Sequence, residues 1–292
     1  MSMPWSRLIR YRDSPEGPVR FGEPILNDGN EDIASMALEN KLLVKVCEGT
    51  DPFSLRVTDQ IATVHQLLGP LAAQHVPIIR CIGLNYKSHI LETGRALPTC
   101  PTVFTKPSPA VADHGASVPI PKVAQSQCDY EGELVIVIGR NGKDISESEA
   151  LEYVAGYTVG NDVSSRDWQR EPEKARPVPQ WSFSKSFDQY APLGPCLVST
   201  SVLGEADDLP LETTVNGETR QKSNTSDLWF GVRRLVAFCS QGQTLQKGSL
   251  IMTGTPGGVG LFMSPPTFLK DGDEVSVRIG GIGTLRNTIR YL

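Results

Sequence analysis

"CDYEGELVIVIGR", residues 128–140, places three acids at alternate positions, Asp129, Glu131 and Glu133, and then runs into five apolar residues at 134–138. Side chains in a strand alternate between faces, so residues two apart share one. The run 134–138 is apolar at both parities, the pattern of a strand covered on both sides. Glu131 and Glu133 therefore project together at its mouth, and Asp129 joins them if the strand begins early enough. Gly132 between them leaves the other face open. Like charges at this spacing repel, and each acid favours its protonated form unless a cation lies between them. A divalent ion removes the conflict, and an all-oxygen ligand set selects Mg²⁺, Mn²⁺ or Ca²⁺ over zinc. Paired acids also occur on solvated strand ends, so a third acid must decide the matter. "GYTVGNDVSSRDWQ", residues 156–169, supplies Asp162 in a Gly-Asn-Asp turn that follows another apolar strand.

Outward from this stretch, short β runs dominate: 77–82, "TVFTK" at 102–106, "LGPCLVS" at 193–199, "SLIMTGTP" at 249–256, "DEVSVRIG" at 273–280 and "GTLRNTIRYL" at 283–292. Asn216-Gly217 inside "LETTVNGETRQ" marks a hairpin turn. One amphipathic helix is predicted from Leu228, Val232, Leu235, Val236 and Cys239, with Ser226 as cap and Gly242 as stop. The leading residues contain a strand, "LLVKV" at 42–46, and a helical stretch near "DQIATVHQLL" at 59–68. Few helices separate the strands, so a doubly wound fold is excluded. The expected fold is α+β and β-rich, a mixed β-sandwich roll of 73–292 preceded by a small N-terminal domain, 1–72.

The chain of 292 residues is 39% hydrophobic and 21% charged, the range of a globular enzyme and not of a disordered chain. Its net charge of -5 excludes a broad nucleic-acid-binding face, so an anionic substrate needs a local positive centre. The six cysteines are scattered without CxxC or zinc-ribbon spacing, as expected of reduced, mostly buried thiols. No signal-peptide core and no membrane-length apolar run is present. The expected compartment is the cytoplasm; Arg7, Arg10 and Arg12 keep a mitochondrial address open, although Asp13 and Glu16 follow them.

His89 and Glu92 stand three apart, so in a helix they share a face, and a histidine oriented by a carboxylate is a candidate general base. Gly83 and Gly94 flank this piece, as the hinges of a lid would. His65, His75 and His114 have no such setting and are expected at the surface or in loops. "TGTPGGVG", residues 253–260, has the glycines of a dinucleotide loop but not its strand–turn–helix context.

Seven stretches occur in order: "GLNYKSHILETG", "VFTKPS", "DYEGELVIVIG", "GYTVGNDVSSRDWQ", "FSKSFDQYAPLGP", "VNGETRQKSNTSDLWF" and "GSLIMTGTPGGVG". Together, over 77–292, they resemble the fumarylacetoacetate hydrolase family, of the short acylpyruvate hydrolase and oxaloacetate decarboxylase type. The resemblance implies Mg²⁺ or Mn²⁺, with Ca²⁺ a third choice, on Glu131, Glu133 and Asp162. It makes Asp129 an orienting residue. It implies a water-activating pair, His89 and Glu92, and a catalytic Lys185. It places Arg166, Gln169, Thr255 and Lys106 near the substrate. The partners it implies are a small anionic 2-oxo acid and a second copy of the chain in a homodimer, with neither nucleic acid nor membrane. Three reactions share such a centre: C–C hydrolysis of a 2,4-dioxo acid, decarboxylation of oxaloacetate, and keto–enol isomerisation. A non-catalytic binding protein on the same fold is opposed by the joint presence of His89, Glu92, Glu131, Glu133, Asp162 and Lys185.

Overall fold

A computed structural model describes residues 3–27, 31–92, 94–175 and 177–292, with the Glu92 side chain outside that description. The leading segment carries β1 (Arg7–Arg12), β2 (Arg20–Pro24), α1 (Ile33–Leu38), β3 (Leu43–Glu48), β4 (Arg56–Thr63) and β5 (Gln66–Leu68). Then come β6 (Ile79–Gly83), α2 (Lys87–Glu92), β7 (Thr102–Lys106), β8 (Val111–Ala112), β9 (Ser117–Ile120) and β10 (Cys128–Asp129). The middle of the chain holds β11 (Gly132–Ile138), β12 (Val154–Asn161), β13 (Ser164–Ser165), α3 (Arg166–Arg170), α4 (Trp181–Lys185), β14 (Ala191–Ser199) and α5 (Thr200–Leu203). The last part is β15 (Pro210–Val215), β16 (Glu218–Asn224), α6 (Val232–Ser240), β17 (Leu250–Met252), β18 (Glu274–Ile279) and β19 (Gly283–Tyr291).

Most strands join one mixed sheet in the order β4-β3-β2-β1-β14-β12-β11-β17-β6-β7, with β5 added to β1 and β8 to β14. A second sheet, β16-β15-β18-β19-β9, packs against it. β11 lies inside the first sheet between β12 and β17, and all seven of its residues are buried. Leu134, Ile136 and Ile138 enter the core shared with the second sheet, through Val275, Val277 and Ile279. Val135 and Val137 point the opposite way, among Ile79, Leu250 and Met252. This two-sided cover is why β11 is apolar at both parities; each such side chain contributes about 1.5–3 kcal/mol on burial. The fold is thus β-rich α+β with mixed sheets. The leading strands continue the same sheet through the pairing of β1 with β14.

The hairpin at Asn216-Gly217 forms as read, with φ of 52° and 79°, the left-handed pair that a two-residue turn requires. Two local readings change. Residues 59–68 are not helical but belong to β4 and β5; Val57, Thr58, Ile61 and Thr63 are β-branched, and β3 supplies the ladder. The amphipathic helix starts at Gly231, not Ser226, because Asn85 captures the amides of Trp229 and Phe230 first. Its Leu235, Val236 and Cys239 are buried as the spacing predicts. The cysteines are all free, and Cys100 alone among them is exposed. No helix among the described residues is long and apolar enough to cross a membrane.

His65 is exposed and His75 half-buried; His114 lies in the turn between β8 and β9, as expected of a loop residue, but it is buried beside Gly194 and Arg286. Burial, and then the Arg286 charge, lower its pKa from 6.5 to about 4. The unfolded chain therefore takes up this proton first as pH falls, and stability is lost between pH 6.5 and 4. The loss is on the order of 3 kcal/mol at its acid end. His114→Gln should flatten that part of the thermal-midpoint curve relative to the parent. An unchanged acid slope in the variant would remove His114 from the account.

Candidate carboxylate and histidine site

The alternating acids do not lie on one strand. The chain turns after Asp129, so that β10 pairs with β13 while β11 pairs with β12. The turn is pinned by Asn161: its Oδ1 accepts the Glu131 amide at 2.9 Å, and the Asp162 amide donates to the Glu131 carbonyl at 2.9 Å. Glu131, just before β11, and Asp162, just after β12, are thereby held face to face. Asp129 points elsewhere and is saturated. It accepts from the amides of Tyr130, Gly260 and Leu261 at 2.9, 2.8 and 3.0 Å, and from Arg166 Nε at 2.8 Å. Its role is to fix the 260–262 turn and the Arg166 guanidinium. Gly132 does not open the other face: a Cβ there would lie 2.2 Å from Thr213 Oγ1 and 2.9 Å from Val277. Glycine is required because the second sheet comes this close.

Oxygens of Glu131, Glu133 and Asp162 all lie within 4.8 Å of one another, and all three residues are buried. Their electrostatics differ. Burial alone would raise the pKa of Glu131, but the Lys185 ammonium and the Arg166 guanidinium outweigh it and hold the carboxyl below its usual range. Lys185 Nζ is 2.9 Å from Glu131 and 2.7 Å from Asp162. Arg166 Nη1 is 2.7 Å from Glu131. Glu133 is pushed well above the carboxylate range, first by burial, then by the charges of Asp162 and Glu131. A 2.7 Å hydrogen bond from the Gly254 amide offsets this only in part. Glu133 therefore resists ionising beside its two neighbours, and an all-oxygen triad of this kind fits a hard divalent cation.

Beside the triad opens a cavity of about 620 Å³. Its walls include Glu131, Arg166, Gln169, Lys185, Thr255 and His89, so most of the residues expected from the sequence converge there. His89 is buried on α2 with its ring 5.8 Å from that of Phe262. α2 includes the Glu92 backbone three positions on, whereas the Glu92 side chain lies outside the described residues. Gln169 Oε1 accepts from Arg166 Nη1 at 3.1 Å, while Arg166 Nη2 is buried without a hydrogen-bond partner among the described residues. The Thr255 hydroxyl donates to the Gly132 carbonyl at 3.0 Å and accepts from Gln221 at 2.7 Å. Lys106 sits behind the site and not on its wall. Fully buried, its ammonium is 2.5 Å from Asp162 and donates to the carbonyls of Val163 and Tyr190. It can anchor Asp162 but does not line the cavity.

Sequence reasoning misses Asn85, Trp181, Phe262, Arg95 and Arg170. Asn85 donates to the carbonyls of Phe230 and Thr253 at 3.0 and 2.8 Å, tying the segment before α2 to the strand end that carries Gly254. An asparagine between Gly83 and His89 is the available signal. The others line the cavity from the end of α3, the start of α4, the 260–262 turn and the segment after α2, whose placement no spacing reveals.

Residues 78–290 match the family model described as fumarylacetoacetate hydrolase, C-terminal. Caffeoylpyruvate hydrolase of Neonothopanus nambi is 40% identical over 99% of this chain and 95% of its own length. A mitochondrial oxaloacetate tautomerase of Xenopus laevis is 41% identical, covering 97% of this chain and 90% of its own. The crystal structure of 2-hydroxyhepta-2,4-diene-1,7-dioate isomerase from Mycobacterium marinum superimposes with a TM-score of 0.79 at 32% identity, over 99% of each chain.

Proposed function

Because the chain belongs to the fumarylacetoacetate hydrolase family, we propose that it is a divalent-cation-dependent enzyme that hydrolyses a C–C bond in 2,4-dioxo acids. The observation that carries this reading is the buried carboxylate triad, whose Glu131 lines a cavity that also holds His89. The named relatives act on a pyruvate derivative and on oxaloacetate, which fits 2-oxo acid chemistry. The cavity runs well beyond the space of a four-carbon acid, which favours an acylpyruvate over oxaloacetate as the main substrate.

Glu131, Glu133 and Asp162 would hold Mg²⁺ or Mn²⁺. When bound, the ion supplies a positive charge for the 1-carboxylate and 2-oxo oxygens and draws electrons from the neighbouring carbons. Arg166 offers the free N–H groups of Nη2 to the carboxylate, and Gln169 keeps the guanidinium plane in place. Lys185 compensates negative charge that grows on the 2-oxo side. His89 takes a proton from water, the water oxygen bonds to C4, and the C3–C4 bond breaks. The electron pair goes to C3, which then takes a proton, leaving a carboxylic acid and a 2-oxo acid. Glu92 is assigned to orient the His89 ring.

The second reading is keto–enol tautomerisation of a 2-oxo acid, favoured by the similarity to oxaloacetate tautomerases. It uses the same base to move a proton at C3 and needs no attacking water. Decarboxylation needs neither. Ultraviolet assays of an acylpyruvate and oxaloacetate, with Mg²⁺ or with chelator, separate the branches. Magnesium-dependent loss of the diketone absorbance supports the hydrolase. Acylpyruvate turnover that is indifferent to chelator, or absent while oxaloacetate tautomerises, would replace it.

We also propose a homodimer. β4 and β7 end the main sheet, and Leu43, Ile61 and Val103 are exposed on or beside these edges. Light scattering should give twice the chain mass at micromolar concentration; a monomer would contradict the proposal.

A further inference from the structure

The cavity is chemically uneven. At its inner end every charge is matched: Arg166 by Asp129 and Glu131, and Lys185 by Glu131 and Asp162. Its walls carry two further guanidiniums, Arg95 and Arg170, and no further acid among the described residues. Neither has a carboxylate within ion-pair distance among the described residues. Among the described residues these two guanidiniums are therefore uncompensated.

Arg170 is exposed, and it reaches the cavity from the end of α3. It lies four residues after Arg166 on α3, so the two face the same way. Its guanidinium carbon stands 5.6 Å from the centroid of the Phe262 ring. The other neighbour of that ring is His89, edge to face at 5.8 Å. Phe262 is 54% exposed, a cost that a purely structural phenylalanine would avoid. His89, Phe262 and Arg170 thus follow one another along the cavity wall, which Glu131 of the triad also lines. A chain held at the triad by its 2-oxo acid head and passing His89 would bring its far end onto Phe262 and Arg170.

We infer that Arg170 is a specificity-determining residue: with Arg95 it binds a second acid group at the far end of the substrate, so that diacids are preferred over neutral-tailed acids. The inference rests on the 2-oxo acid reading of the inner site. Phe262 supplies apolar cover that strengthens the charge-assisted hydrogen bonds from Arg170 to a tail carboxylate.

The test uses a matched pair, 2,4-dioxoheptanedioate and 2,4-dioxoheptanoate, which differ only in the terminal carboxylate. Their kcat/KM ratio is measured in the parent, in Arg170→Gln and in Arg170→Lys, with added Mg²⁺. The ratio should favour the diacid in the parent and fall roughly 10- to 100-fold in Arg170→Gln, the loss expected when a charged partner is removed. The change should lie mainly in KM, and Arg170→Lys should recover part of it. Because the comparison is a ratio, a general loss of fold or of chemistry cancels. An unchanged ratio in Arg170→Gln overturns the inference. If the parent cleaves neither acid, the hydrolase reading fails by itself. The same ratio is then taken from dissociation constants by calorimetry, with the same two outcomes.

Discussion

Glu133→Gln should abolish turnover, by more than about 10³-fold, while leaving the metal-free protein at least as stable as the parent. The two halves of this expectation come from one observation. Glu133 is buried against Asp162 and Glu131, and its pKa is raised well above the carboxylate range by burial first and by those two charges second. A raised acid binds its proton in the folded state while the unfolded chain has already released it. Stability of the metal-free protein therefore falls as pH rises above the unfolded carboxylate range and through the folded value. Glutamine keeps the shape, has no charge to repel, and removes this slope, so its advantage should grow from pH 6 to pH 8 in the presence of chelator. The neighbouring acids behave in the opposite way. Asp162 is within ion-pair distance of Lys106 and Lys185, and Glu131 of Lys185 and Arg166. Losing either acid strands buried cations, at a cost of about 3–5 kcal/mol. Thermal melts of Glu133→Gln and Asp162→Ala in chelator should move in opposite directions. A fall of several degrees in Glu133→Gln would mean that Glu133 is a structural carboxylate.

His89→Asn should lower acylpyruvate hydrolysis by about 10²- to 10⁴-fold, the usual contribution of a positioned base, with metal affinity unchanged. Asparagine retains polar bulk beside Phe262 but cannot take a proton at neutral pH. Tautomerisation should fall with hydrolysis, since both move a proton at the same base. Decarboxylation of oxaloacetate should survive, because its electrons flow toward the 2-oxo group without a base. Hydrolysis at the parent rate would make His89 a bystander lining the cavity.

Much of this site is legible in the amino-acid sequence. Glu131, Glu133 and Asp162 share one cluster because strand alternation and the Gly-Asn-Asp turn bring two strand ends to one level. β11 is buried on both faces, as its apolar run indicates. The failures are tertiary. Nothing in "CDYEGEL" reveals that the strand breaks after Asp129, since the break depends on Asn161 and on β13, both distant in sequence. Gly132 suggests an open face because the second sheet, which fills that face, is built by residues 80 and more positions later. Resemblance assigns Lys106 to the substrate, but its ammonium is fully buried and drawn to Asp162 from behind. His114 has the local setting of an exposed loop residue, because a short window of sequence cannot show Gly194 and Arg286 closing over it. Arg170 and Phe262 come together only when α3 and the 260–262 turn are both pinned by Asp129, one through Arg166 and the other through two backbone amides.

A divalent cation bound by the triad would displace the proton that burial leaves on Glu133. Isothermal titration of the chelator-stripped protein with Mn²⁺, run in two buffers of different ionisation enthalpy, tests it directly. One ion per chain, release of a proton on binding, affinity that rises with pH, and loss of binding in Glu133→Gln are expected. Absence of Mn²⁺ uptake by the parent, or the same affinity in Glu133→Gln, would contradict it.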